Sequence, residues 1–298
     1  MKRNSGIKSV LSFLFVLAFL LILDTEAVAA TPTWEELQGF SGTQKMTKVY
    51  KEMDVTGDKK IDTVKVVYTP KGNVMDADYV DGEIKILVNG KRVYKEARKS
   101  GPYWNVRLIR LKNGKAFFYI SSSVGSGDNA YIGLYQYKSG KLREVYDLDQ
   151  FMKGAGDDAP GFQILNVTGN KIVFQGIAQF NLTGMLYYKM TLVHKNGKLK
   201  LASSQMPTTG RIGVESTSQG ANIWTSNYTI KAYKKVGSKK LAYKVKKGTK
   251  ISIKKVIYKN KKFYFQVKEL NGKKRTGYIP NPKGSKYPYY FVESMYVG

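Results

Sequence analysis

The chain contains no cysteine. Disulfides, thiol-ligated metals, cysteine nucleophiles and a lipid-anchored lipoprotein are all excluded by that one absence. Histidine is nearly missing as well, since His194 is the only one in 298 residues. A zinc hydrolase draws on about three nitrogen, oxygen or sulfur ligands, and a serine triad needs a histidine set between an acid and a nucleophile. A lone His194 ahead of Lys195-Asn196-Gly197 reads instead as a surface strand residue at a turn. Negative charge is scarce: 22 Asp and Glu stand against 50 Lys and Arg, a net charge of +28. No glycine-rich loop precedes a helix to cradle phosphate, because Gly125-Ser126-Gly127-Asp128 leads into a strand pattern. Any enzyme activity would rest on acids alone.

Long apolar runs are limited to one, Val10 to Leu23. It follows Lys2, Arg3 and Lys8 and precedes Ala27-Val28-Ala29-Ala30, the order of a secretory signal peptide with a small-residue cleavage site. Its length is short of the ~20 residues a membrane-spanning helix needs. Residues 1–30 are therefore expected to be a signal peptide, leaving an exported chain with no transmembrane segment. Without disulfides that chain must fold on its core alone, and its length suggests two domains.

After a polar stretch in which Thr33-Trp34-Glu35-Glu36 reads as a capping box for one helical turn, a repeat emerges. Unit one runs from Thr47 to Lys95, with turns at Thr56-Gly57-Asp58 and Asn89-Gly90-Lys91. Unit two starts near Asn105 and turns at Asn113-Gly114-Lys115 and Ser139-Gly140-Lys141. Unit three starts near Phe162 and turns at Thr168-Gly169-Asn170 and Asn196-Gly197-Lys198. Each unit reads as four strands; in unit two these are 106–111, 116–122, 130–137 and 142–147, with a short helix at 148–153. Spacings of roughly 50–57 residues lie in the range of propeller blades. Three units do not obviously close a ring, so an open propeller-like array or a sandwich of packed sheets is expected over 31–206. Residues 207–226 have the Pro, Thr, Gly and Ser content of a linker.

The remainder, 227–298, carries most of the charge. From Pro207 onward there are 21 Lys and Arg against three acids. Phe263, Phe265 and Val267 alternate with Tyr264, Gln266 and Lys268, and Ile251 with Ile253, the period of half-buried strands. Lys259-Asn260-Lys261 and Asn271-Gly272 supply the turns. The pattern Lys246-Lys247-Gly248-Thr249, then Phe263 to Val267, Asn271-Gly272-Lys273 and Gly277-Tyr278-Ile279 resembles bacterial Src-homology-3-like domains, and also the lysine- and tyrosine-rich attachment repeats of some S-layer proteins. The resemblance covers roughly 224–296, with Gly277-Tyr278 where the former usually have Gly-Trp. It implies a small barrel that binds peptidoglycan or an anionic wall polymer. The ligand residues expected are Lys246, Lys247, Lys254, Lys255, Lys261, Lys262, Tyr264, Lys273, Lys274, Arg275 and Tyr278. The fold class expected is thus all-β, three four-stranded antiparallel units followed by a small Src-homology-3-like barrel.

Two acidic groups remain. Asp54, Asp58 and Asp62 sit at positions one, five and nine of a tight loop, a spacing that wraps a hard cation. The loop resembles the calcium loops of FG-GAP-like propeller repeats, which implies structural calcium held by Asp54, Thr56, Asp58, the Lys60 carbonyl and Asp62. Thr56 and Lys59 depart from the pattern, and a hairpin turn whose carboxylates cap amides explains the same residues. Asp147, Asp149, Asp157 and Asp158 flank Gly154-Ala155-Gly156, where a pair of carboxylates could do glycosidic acid–base work. The expected protein is a secreted or cell-surface bacterial protein, non-catalytic, binding an anionic wall polymer or peptidoglycan. The alternatives are a wall or glycan hydrolase with acids in the N-terminal region, and a partner for another exported protein. Nucleic acid fits the charge but not the export route, so no specific nucleic-acid partner is expected.

Overall fold

The computed structural model describes residues 31–42, 44–71, 81–99, 103–123, 129–155, 161–211, 222–283 and 289–294. The signal segment 1–30 and the acids Asp157 and Asp158 lie outside them. The described chain is all-β in three antiparallel sheets. Strand β1 (Thr33–Phe40) is followed by the meander β2 (Met46–Met53), β3 (Asp62–Lys71), β4 (Asp81–Val88) and β5 (Lys91–Arg98). A second meander contains β6 (Tyr103–Arg110), β7 (Ala116–Ser123), β8 (Asn129–Lys138) and β9 (Lys141–Asp147), and ends in the short helix α1 (Leu148–Met152). The third unit begins with β10 (Gly161–Thr168), β11 (Lys171–Phe180), β12 (Gly184–Lys195) and β13 (Lys198–Leu201). The chain then runs through β14 (Gln205–Arg211), β15 (Ile223–Thr225), β16 (Ile230–Tyr233), β17 (Leu241–Val245), β18 (Lys250–Lys259), β19 (Lys262–Glu269) and β20 (Thr276–Pro280).

The segment β1 was expected to contain a helical turn, and it is a strand. Its Thr33 to Phe40 pair with β6 from Arg110 to Trp104. Leu37 and Phe40 are buried there, so tertiary pairing and burial override a weak local capping signal. With β1 added, the second sheet has five strands, in the order β1-β6-β7-β8-β9.

The sheets are stacked, and β7 shows why. Its residues Ala116 to Ser122 are all buried, which requires cover on both faces. Phe118 and Ile120 on one face join Trp104, Val106 and the inward residues of the first sheet, Val64, Val66, Tyr68, Ile84 and Ile86. Phe117 and Tyr119 on the other join Phe162, Ile164, Phe174 and the third sheet. The second sheet is the middle layer.

The C-terminal region is not a separate bead. Pro207–Arg211, inside the expected linker, is strand. Gln205 to Pro207 pair with β18, and Thr208 to Arg211 pair with β12. The proline, which has no N–H to give, falls where β14 changes partner. One sheet therefore runs β10-β11-β12-β14-β18-β19-β20-β16-β17, with β13 on β12 and β15 on β18. Among the described residues no sheet closes into a barrel. Both edges of β18 are occupied, by β19 on one side and by β14 and β15 on the other, so β17 has no free edge of β18 to meet.

The core is equally continuous. Phe180, fully buried on β11, meets Phe263 and Phe265 edge-on at 5.3 and 5.2 Å. Phe151 of α1 packs on Tyr258 at 4.7 Å. Asn281 donates to the carbonyls of Gly154 and Ala155 and accepts from the Leu182 amide, while Asn181 donates to the Pro282 carbonyl.

Candidate functional site

The outer face of the C-terminal sheet is built by strand alternation. Phe263, Phe265 and Val267 go to the core, which turns Tyr264, Gln266 and Lys268 outward. Register then sets a row across the strands, because Gln266 pairs with both Lys255 and Tyr278, and Tyr278 with Tyr233. Gln266 Nε2 donates to the Tyr278 hydroxyl at 3.3 Å, and Lys255 Nζ donates to Gln205 Oε1 at 2.7 Å.

Three depressions share lining residues along this sheet, and the third also takes in Gly154 and Asn181 beyond its edge. The first, about 410 Å³, is lined by Lys231, Tyr233, Lys235, Lys239, Tyr264, Tyr278 and Pro280 among others. The second, about 390 Å³, shares Lys235 and Tyr278 and adds Tyr258 and Lys259. The third, about 640 Å³, shares Tyr264 and Pro280 and adds Lys261, Lys262, Asn281 and Lys283. Taken together as one groove, they are lined by half-buried tyrosines and seven exposed lysines: Lys231, Lys235, Lys239, Lys259, Lys261, Lys262 and Lys283. No described lining residue is acidic. Seven like charges without a counter-charge make a positive channel whose field is strongest where low-dielectric walls focus it.

Of the ligand residues expected from sequence, Lys261, Lys262, Tyr264 and Tyr278 line the groove, and Lys255 stands beside it, tied to Gln205. Lys246, Lys247, Lys254, Lys273, Lys274 and Arg275 do not line it. Lys246 and Lys247 lie in the turn after β17, and Lys254 in the β18 bulge between Ile253 and Lys255. Arg275 is committed elsewhere. Its Nε and Nη2 donate to Glu269 at 2.9 and 3.0 Å, and its guanidinium stacks 4.5 Å over the Tyr243 ring. That guanidinium holds the Glu269 carboxyl below the usual range, against the opposing effect of burial. Lys231, Lys235, Lys239, Lys259, Lys283 and Tyr233 are groove residues that sequence reasoning missed. Lys259 reads in the sequence as a turn residue, and the alternation Lys231-Ala232-Tyr233 is the one signal for Lys231 and Tyr233.

Lys261 has a feature of its own. The hairpin turns at Asn89-Gly90, Ser139-Gly140 and Asn196-Gly197 take positive φ at both central residues and use glycine second, the preference of a type I′ turn. The β18–β19 turn does the same at Asn260 and Lys261, with φ of 52° and 58° and no glycine. A side chain there costs about 1–2 kcal/mol. Lys261→Gly is expected to raise unfolding stability by about 1 kcal/mol, read by denaturant titration.

The Asp54–Asp62 loop is closed by its own amides. Asp62, buried, accepts from the amides of Val55 and Thr56 at 2.7 and 2.9 Å through Oδ2, and from Asn89 Nδ2 at 2.6 Å through Oδ1. Asp54 accepts from the amides of Gly57 and Lys59, and Asp58 from that of Lys60. Asp54 Oδ1, Thr56 Oγ1 and Asp62 Oδ1 do come together, at 3.4 Å steps. Asp58 turns away to Lys60, and an amide donor already points at Asp62 Oδ1, so in this arrangement the residues do not fit a cation. Among the described residues no group of three or more His, Cys, Asp or Glu could hold a metal. Millimolar calcium is expected to leave the thermal midpoint unchanged, and a saturable rise would overturn this. Asp62→Ala, by stranding buried donors, should cost about 2–3 kcal/mol.

The other acids are also engaged. Asp147 caps α1 by accepting from the Gln150 amide at 2.7 Å, and Asp149 Oδ2 accepts from the Ile132 amide at 3.0 Å. Burial pushes the Asp149 carboxyl up to about 6; the Ile132 amide opposes this, and the charges of Asp147 and Glu144 add to it. The folded state then holds the extra proton, so the stability tied to protonated Asp149 is full below about pH 4 and is lost as pH rises through 6. Asp149→Asn is expected to raise the melting temperature at neutral pH and to match wild type near pH 4. Glu83 has the opposite sign. Nearly buried, it pairs with Lys71, Lys85 and Lys95 at 2.6–3.0 Å. Those ammonium groups hold it down at about 2, so its contribution is present above about pH 4.5 and lost as pH falls through 2.

His194 Nδ1 lies 2.8 Å from Asn113 Nδ2 and its ring meets Phe117 edge-on, a structural contact between the second and third sheets. No helix among the described residues is long and apolar enough to cross a membrane. No protein family, curated protein or solved structure matches the chain.

Proposed function

We propose that this is an exported, surface-associated, non-catalytic protein that binds an anionic cell-wall polymer along the lysine groove of its C-terminal sheet. The observation that carries the proposal is the groove itself, seven exposed lysines over a tyrosine floor with no acid among the described lining residues. A flexible polyanion laid along it would release counterions from the polymer, and tyrosine faces would stack on its sugar rings. Such binding is sequence-tolerant and falls with salt. The stacked N-terminal sheets serve as the scaffold that presents the groove.

The test is co-sedimentation of the full mature chain with purified cell walls, before and after removal of their anionic polymer, across a salt series. Polymer-dependent binding that weakens as salt rises supports the proposal. Equal binding to stripped walls, or none at low salt, sinks it.

A further inference from the structure

The loop that follows β16 makes one part of the groove unlike the rest. Over residues 234–240 the Lys234 amide donates to the Lys240 carbonyl at 3.0 Å and the Ser238 amide to the Lys235 carbonyl at 3.1 Å. The Lys240 amide donates to Ser238 Oγ at 3.0 Å, and Gly237, at φ 75°, supplies the left-handed residue in the middle. This closed turn folds over the outer face. Ile257 pairs with outward-facing Tyr264, yet it is buried while belonging to neither core cluster. Val236 of the turn lines the same depression as Ile257, and a Cβ on Gly237 would lie 3.8 Å from the Tyr264 hydroxyl. The turn thus reaches from β16 across β20 to β19, an arch that walls the first depression.

Under the arch three half-buried tyrosines meet on three neighbouring strands. Tyr233 of β16 pairs with Tyr278 of β20. Tyr264 of β19, opposite Pro280, is the diagonal neighbour of Tyr278. Strand spacing makes this floor about 10 Å wide. Gln266 holds one ring in place by donating to the Tyr278 hydroxyl. Lys235 and Lys239 flank Gly237 at the rim, with Lys231 and Ser238 beside them. The third depression differs: Tyr264 is the one tyrosine among its described lining residues, beside Lys261, Lys262 and Lys283.

We propose that the cup under the arch is the specificity subsite of the groove, taking one sugar ring of the bound polyanion while the outer depressions hold charge alone. This rests on the groove being a polyanion site and adds which kind it selects, a chain whose repeat carries a pyranose in preference to a ring-free one. The aromatic floor suits the C–H face of a sugar ring, and the tyrosine and serine hydroxyls suit its O–H groups. Lys235 and Lys239 meet the anionic group next to the ring. One ring in the cup is enough, because the lysines of the outer depressions respond to charge whatever lies between the charges.

The probes are polygalacturonate and poly-L-glutamate of matched length, titrated into the full mature chain by calorimetry at one salt concentration. Both carry one carboxylate per repeat, and only the first carries a ring. Dextran supplies rings without charge, and oligothymidylate supplies charge with bases. Polygalacturonate is expected to bind about tenfold tighter than polyglutamate, and dextran hardly at all. Tyr233→Leu with Tyr278→Leu should erase that preference and leave polyglutamate affinity unchanged, which also shows the variant to be folded. Tyr233→Leu alone should lower the preference about threefold, and the two Tyr→Phe changes, which keep the rings, should preserve it. Equal affinity for the two polyanions, an equal loss of both in the leucine variants, or tighter binding of oligothymidylate than of polygalacturonate would each overturn the proposal. Failure of both polyanions to bind at low salt overturns it together with the groove reading. A ring preference in a protein that ignores cell walls supports the subsite and removes only the wall.

Discussion

Reversing three groove charges together, Lys235→Glu, Lys262→Glu and Lys283→Glu, is expected to lower affinity for anionic walls by on the order of 100-fold at physiological salt. The estimate follows from about 1 kcal/mol for each basic side chain near an anionic surface. All three are exposed, so folding should not suffer. Three reversals outside the groove, Lys246→Glu, Lys247→Glu and Lys273→Glu, change net charge equally and provide the control. If bulk charge alone drove binding, the two triple variants would fall together. If the groove reads the polymer, the first loses binding and the second keeps most of it. The salt dependence separates them again, since the groove variant should show a shallower slope.

Phe180→Ala is expected to destabilise the whole chain by about 3–5 kcal/mol, the cost of a large aromatic truncated in a core. Phe180 is fully buried between the third unit and the C-terminal sheet, against Phe263 and Phe265. The more telling result is the shape of the transition. Because the sheet is unbroken through β14 and the core runs from Ile109 to Phe291, tryptophan fluorescence reporting Trp224 and far-ultraviolet circular dichroism should shift to the same new midpoint. Two separated transitions, with Trp224 unmoved, would show an independent C-terminal domain. By the same reasoning a fragment starting at Pro207 lacks α1, β11 and β12, and with them the packing of Phe151 and Phe180 on Phe263.

Much of the architecture was legible in the residues. In the second unit the expected strands 106–111, 116–122, 130–137 and 142–147 and helix 148–153 sit within a few residues of β6 to β9 and α1. The cause is strict alternation bounded by Asn-Gly and Ser-Gly turns whose φ values leave few options. The turns that punctuate the units also meet in space: the Asn113 amide donates to Asn170 Oδ1, and the Asp54–Lys59 loop lines a hollow with Asn113 and Gly114. Failures came where distant partners decided. Thr33-Trp34-Glu35-Glu36 has local helix-start chemistry, yet Glu36 serves Asn105 and Arg107 some 70 positions on. Pro207 and Gly210 look like linker residues because composition does not show a strand that switches neighbours.

The candidate site was half legible for a similar reason. Density of lysine in sequence pointed to the sheet that carries the groove, and alternation pointed to Tyr264 and Tyr278 on its outer face. Which lysines converge depends on the loop after β16 and on the segment after β20, which bring Lys235, Lys239 and Lys283 to a groove that begins elsewhere in the chain. Arg275 shows the converse: it sits amid the densest charge and is spent on Glu269.

The unbroken passage through β14 also bears on mechanical load. A protein tethered to a wall by a hinged module swings freely and transmits pull through a slack connector. Here tension applied at the groove passes directly into main-chain ladders between β18, β14 and β12 and into the aromatic packing behind them. If the groove holds the protein to a wall as proposed, the stacked N-terminal sheets stand at a fixed attitude to it, and shear is borne by the fold as a whole.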